Sequence, residues 1–154
     1  MSHPVAKKSL LDPGVQAEIE TRLAALSAVT PAKWGRMSAA QMLAHCAEVQ
    51  DVANGKDLSH TPFVIRLFAS FIRRAVTSLK PYPTGVRTHP QYVVDEDVDF
   101  DAARERLLDA IHAMHEKLAG VNFVQHPLFG RMTREDAGGA MYKHLDHHLR
   151  QFGV

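Results

Sequence analysis

Three of the ten histidines in this 154-residue chain, His144, His147 and His148, fall in its last eleven positions. They are spaced as Lys143-His144-Leu145-Asp146-His147-His148-Leu149 within an amphipathic pattern, unlike the uninterrupted run of a purification tag. On an α-helix, side chains four residues apart share a face, with Cβ atoms about 5–6 Å apart. His144 and His148 have that spacing, so both rings can converge on one ion. His45, flanked on its own stripe by Met42 and Val49, supplies a third. Three neutral imidazoles meeting between helices form the donor set of an open metal centre, with one position left for water or substrate. The competing reading is three separate core histidines, each hydrogen-bonded to a carbonyl or carboxylate. An unpaired buried polar group costs roughly 2 kcal/mol or more, so each ring would then need its own partner. Spacing alone leaves both readings open. His147, turned about 100° from His148, is expected at the surface or beside a ligand ring.

These side chains need helices to present them. Asp12-Pro13 opens a helix expected over Pro13–Ser27, with Val15, Ile19, Leu23 and Leu26 at helical spacing. Ser38 and Gln41 form a capping box for a second, which carries His45 and closes at Asn54-Gly55. From Asp99 a third places Phe100, Ala103, Leu107, Ile111, Met114 and Leu118 on one stripe and ends at Gly120. Thr133 and Asp136 cap a fourth with the stripe Ala137, Met141, His144, His148 and Phe152. Pro62–Leu79 reads as an accessory helix, and Lys80–Val98 as an irregular connection with a short extended piece at Tyr92-Val93-Val94. The expected fold is therefore all-α, a single domain over 1–154. It is a four-helix bundle in up-down-down-up order, because Gly55–Val98 is long enough to cross the bundle.

Composition narrows the function classes. With 45% hydrophobic and 23% charged residues the chain is an ordinary globular one. A net charge of +1 and the lack of a reading helix or aromatic platform argue against nucleic acid as a partner. Arg66, Arg73 and Arg74 interrupt the accessory segment, so no membrane span is expected. A single cysteine, Cys46, and the lack of a signal-like apolar run over Met1–Leu10 point to a cytoplasmic location. Lys56–Arg87 carries six bases against one acid, and Asp95–Asp109 seven acids against two bases. The two segments are expected to pack side by side and neutralise each other, in place of a membrane-surface helix.

The block Tyr142-Lys143-His144-Leu145-Asp146-His147-His148-Leu149-Arg150-Gln151-Phe152, preceded by His126-Pro127-Leu128-Phe129-Gly130, resembles the signature of a family within the DinB-like (DinB/YfiT) superfamily. Trp34-Gly35-Arg36-Met37-Ser38-Ala39-Ala40-Gln41-Met42-Leu43-Ala44-His45-Cys46 is similar to its other recurring segment. The resemblance implies a four-helix bundle with His45, His144 and His148 as metal ligands, the same set that helical spacing selects. The chain departs from it at Ala137-Gly138-Gly139, at the first of which relatives tend to carry a bulky aromatic. Two helical glycines cost about 1 kcal/mol each, so this end of the fourth helix is expected to be loose or packed very close to a neighbour.

Superfamily relatives include enzymes that use low-molecular-weight thiols. The resemblance thus implies a transferase that presents a thiolate at the metal, for which zinc or nickel suits the ligands. The alternatives are a metal-dependent hydrolase and a non-enzymatic, stress-response bundle stapled by its metal. Glu48, one turn from His45, is the candidate general base or outer partner of a ligand ring, set against a plain solvated acid; His115 and Glu48 are the first candidates for a fourth ligand. Gln151 is placed to order a ligand ring or to bond a carbonyl. Trp34, His126 and Phe129 are expected to line a pocket mouth or plug the bundle ends, and Cys46 to be a small core residue. Pairing through helical faces in the resembled superfamily, with the apolar excess of Phe63, Phe68, Phe71 and Ile72, implies a homodimer. The expected reaction partner is a small molecule.

Overall fold

The computed structural model describes residues 7–154. His3 and most of the amino-terminal segment read for a signal lie outside them. The described residues form six α-helices and one two-stranded sheet: α1 Pro13–Ala24, α2 Ala39–Ala53, α3 Phe63–Leu67, α4 Ala69–Thr77, α5 Phe100–Lys117, β1 Phe123–His126, β2 Gly130–Thr133 and α6 Arg134–Gln151. A 3-10 turn, Pro90–Tyr92, precedes α5.

The helix starts follow from their caps. Asp12 accepts the amide of Gly14 at 2.7 Å, and Ser38 and Gln41 exchange both capping-box bonds at 3.1 and 3.0 Å. Asp99 and Thr133 accept from Ala102 and Asp136 at 2.8 and 3.1 Å. Each bond satisfies a backbone donor with no partner inside its helix. α2 lies deepest, with burial on nearly every face, and packs chiefly on α5 and then on α6. Ile19, Leu23, Met42, Leu43, Leu107, Ile111, Leu145 and Leu149 are the fully enclosed heart of the core.

The all-α four-helix expectation is corrected: the fold is mixed. Between α5 and α6, where a plain connection was expected, β1 and β2 pair antiparallel in the register Phe123↔Thr133, Val124↔Met132, Gln125↔Arg131 and His126↔Gly130. Met132 is buried and Val124 packs partly on the core, whereas Phe123 stays exposed. Gly130, at φ +71°, makes the reversal, and His126 Nδ1 accepts the amides of Leu128 and Phe129 at 3.1 and 3.2 Å. The pairing satisfies backbone groups that a wandering loop would leave to solvent. Of the piece expected at Tyr92–Val94, Tyr92 closes the 3-10 turn and Val93 is extended without pairing into a strand; His89 caps the turn by accepting the Gln91 amide at 3.0 Å. α1 stops at Ala24, three residues before the expected end.

The accessory helix is two short helices, broken at Phe68. α4 packs on α6, where the buried Lys143 ammonium donates to the Ala75 and Ser78 carbonyls at its carboxy end. Arg73 ties it to the hairpin through the carbonyls of Phe129 and Arg131 at 3.2 and 2.8 Å. The outer face of α3 and α4 stays open, with Phe63 76% and Phe71 69% exposed. The expected charge neutralisation is also absent. Among the described residues no ion pair joins the basic segment to the acidic one; Lys56 and Arg106, one from each, both meet Glu48 on α2. Of the two alternatives for Gly138, the structure takes close packing. The Gly138 carbonyl accepts the Leu10 amide at 3.0 Å, and a Cβ there would collide with Ser9 Oγ.

Candidate metal centre

The buried stripe of α6 is centred on Leu145 and Leu149, a quarter-turn from the one expected, and this sets the histidines at the edge of the core. Asp146 explains that rotation. Its carboxylate is buried between Arg22 of α1 and Arg150, each at 2.9 Å, pinning the opposite side of α6. His144 and His148 then face α2, where His45 projects toward them. One ligand atom from each ring lies within 4.8 Å of the other two, and His45 Nε2 stands 3.1 Å from His144 Nε2. Two nitrogens on one tetrahedral ion at about 2.0–2.1 Å would be about 3.3 Å apart, so this pair is already at ligand spacing. The residues present therefore fit an ion.

Hydrogen bonds assign which nitrogen two of the rings offer. His45 Nδ1 lies 2.7 Å from the Tyr92 carbonyl, an obligate acceptor, so Nδ1 carries the proton and Nε2 the lone pair. His148 Nδ1 lies 2.8 Å from Gln151 Oε1. The orientation of that amide is set by its other end, where Nε2 donates to the Trp34 carbonyl at 2.8 Å. His148 is thus also protonated at Nδ1 and open at Nε2. Backbone-anchored acceptors of this kind orient metal-bound imidazoles and raise their basicity. Burial holds all three rings neutral: it lowers His45, takes His148 down to about 3, and with the neighbouring imidazoles lowers His144 well below the usual histidine range. The two Nε2 lone pairs converge with the His144 ring, and no ring carries a positive charge at neutral pH.

Other expected residues fall elsewhere. Glu48 makes no hydrogen bond to the cluster; Lys56 at 2.7 Å, Arg106 at 2.6 Å and Gln91 at 2.9 Å occupy its oxygens. Those partners overcome burial and hold its carboxyl down at about 2, the opposite of what a base near neutrality needs. His115 is exposed and outside the cluster, and His112 pairs with Glu20 at 2.8 Å. Among the described residues the group holds three ligands and no fourth. His147 is partly buried, its ring 5.8 Å from Trp34 and 5.5 Å from Tyr82. His126 stacks on Phe129 at 4.4 Å within the hairpin turn. The Cys46 thiol is buried and pushed up by desolvation, a core group and not a nucleophile.

Gln151 fills both roles open to it, ordering His148 and bonding a carbonyl. Trp34 acts through its backbone, which sequence reading missed, as it missed the Tyr92 carbonyl. Gly35 was missed too: at φ +81° it turns the chain beneath Gln151, where a Cβ would sit 2.7 Å from Nε2. A glycine directly after the Trp34 loop residue was the available signal.

No curated protein and no solved structure matches the chain significantly. The resemblance to the DinB-like superfamily is corrected by the comparison with family models, because the family that covers the chain is a different one from DinB/YfiT. Residues 7–153 match the model described as "Protein of unknown function (DUF1569)", and the chain belongs to that family.

Proposed function

We propose that the protein is a metal-dependent enzyme in which His45, His144 and His148 hold one divalent transition metal, zinc or nickel, and that its chemistry is transfer to or from a low-molecular-weight thiol. The observation that carries the metal is the convergence of three neutral imidazoles, two of them held in the Nε2-open tautomer by fixed acceptors. Imidazole ligands suit both metals. When bound, the ion would supply Lewis acidity and a fourth position that favours a thiolate over water. Three uncharged ligands leave its full double positive charge to attract an anionic sulfur. A structural staple would recruit a fourth protein ligand, and the cluster contains none among the described residues.

Hydrolysis is the second reading, since the same charge would acidify a bound water. The locked carboxylate of Glu48 counts against it, because the one acid a turn from His45 is not free to take a proton. The test is to load the protein with cobalt and titrate glutathione, bacillithiol and mycothiol. A thiolate-to-metal charge-transfer band is expected with at least one of them, and that thiol is then offered with electrophiles. Ester or amide turnover with no thiol response replaces transfer with hydrolysis, and the absence of both leaves a non-enzymatic fold stapled by its metal.

A further inference from the structure

We infer that Gln91, anchored by Glu48, is a positioning residue of the three-histidine site: it fixes the turn whose Tyr92 carbonyl holds His45 in its Nε2-open tautomer. Every hydrogen-bonding group of the Gln91 side chain is engaged. Its Nε2 donates to Glu48 Oε1 at 2.9 Å and to the Asp57 carbonyl at 3.0 Å, while Oε1 accepts from the Ser59 amide and hydroxyl at 2.9 and 3.3 Å. One side chain therefore ties α2, the 57–59 segment and the 3-10 turn together. The next residue in the chain, Tyr92, presents its carbonyl to His45 Nδ1 at 2.7 Å. Glu48 and His45 lie three residues apart on α2, so the path Glu48, Gln91, Tyr92, His45 closes on the helix from which it starts.

That closure works beside the turn's other ties: buried His89 caps it by accepting the Gln91 amide at 3.0 Å and meets Thr61 Oγ1 at 3.1 Å. The turn's own backbone bonds are Tyr92 to His89 at 2.9 Å and Val93 to Pro90 at 3.2 Å. Glu48 makes a firm anchor: Lys56 and Arg106 keep it ionised, and its side chain is 12% exposed. A displaced Tyr92 carbonyl would leave Nδ1 of His45 without its acceptor and free the proton to move to Nε2, toward His144 Nε2 at 3.1 Å, where it would block the ligand atom. The effect on affinity rests on the metal reading above; the effect on the tautomer does not.

The experiment uses Gln91→Ala, with Gln91→Asn as the milder variant that keeps the amide but withdraws it by one methylene. Long-range proton–nitrogen NMR on histidine-labelled, metal-free protein reports the tautomer of His45, zinc competition against a chromophoric chelator reports affinity, and thermal melting confirms the fold. Wild type is expected to show His45 protonated at Nδ1. The folded variant should show mixed tautomers and zinc affinity lower by about tenfold, at the low end for outer partners of metal ligands. An unchanged His45 tautomer in folded Gln91→Ala or Gln91→Asn overturns the inference. A shifted tautomer in a protein whose wild type binds no zinc upholds the positioning role and removes the metal reading instead.

Discussion

His148 donates its Nδ1–H to Gln151 Oε1 across 2.8 Å, one helical turn away on α6, and Gln151 in turn grips the Trp34 carbonyl. The loop before α2 thereby sets the orientation of a ring on the last helix. Replacing Gln151 by Ala leaves His148 free to rotate and to change tautomer. Zinc affinity measured by chelator competition should fall roughly 10- to 100-fold. Unchanged affinity would show that the ring is held by packing alone.

Metal content should follow the ligand set. The wild-type protein is expected to retain about one divalent ion per chain after dialysis, and His144→Ala with His148→Ala to retain none by elemental analysis. Full occupancy in that double variant would sink the three-histidine assignment.

Acid should destabilise the metal-free protein in two windows. The ligand histidines have lowered folded values, so the unfolded chain takes up protons first as pH drops below about 6.5. Their contribution is complete above that pH and shrinks as the pH falls toward about 3 for His148. Glu48 is depressed as well, to about 2. Its ion-paired carboxylate adds stability above about 4.5 that is lost on further acidification. Melting temperature should therefore begin to fall below about pH 6.5 and fall more steeply below about 4.5, where the two windows overlap, and His148→Gln should lessen the fall above about 4.5. A melting temperature that is level between neutral pH and the lower window would contradict buried neutral histidines.

Gly35→Ala should damage both the fold and the site. A non-glycine residue in the left-handed region costs roughly 1–2 kcal/mol, and the new Cβ would fall 2.7 Å from Gln151 Nε2. The expected result is a lower melting temperature together with weakened zinc binding. Stability lost with affinity intact would mean that Gln151 adjusts without releasing His148.

The outer face of α3 and α4 presents Phe63, Phe68 and Phe71, more apolar surface than scattered single residues. A second copy is proposed to cover it. Light scattering should give a dimer at micromolar concentration, and Phe71→Arg a monomer. A monomeric wild type would remove the proposal.

What the sequence determined alone was whatever rests on short-range periodicity. Asp12, Ser38 and Thr133 announced three of the long helices, because a cap bonds to amides only two or three residues away, and the stripe from Phe100 to Leu118 announced the other. The four-residue spacing of His144 and His148 announced a shared face for the same reason. Tertiary structure decided the rest. Strands of four residues show too little alternation to stand out, so the hairpin emerged only from the register of Val124 with Met132 over the core. The fate of Glu48 depended on Lys56, Arg106 and Gln91, whose approach no local pattern records. The acceptors for His45 and His148 are tied to the backbone at Tyr92 and Trp34. Every residue has a carbonyl, so side-chain identity gives no sign of which one the folded chain will bring to a ring.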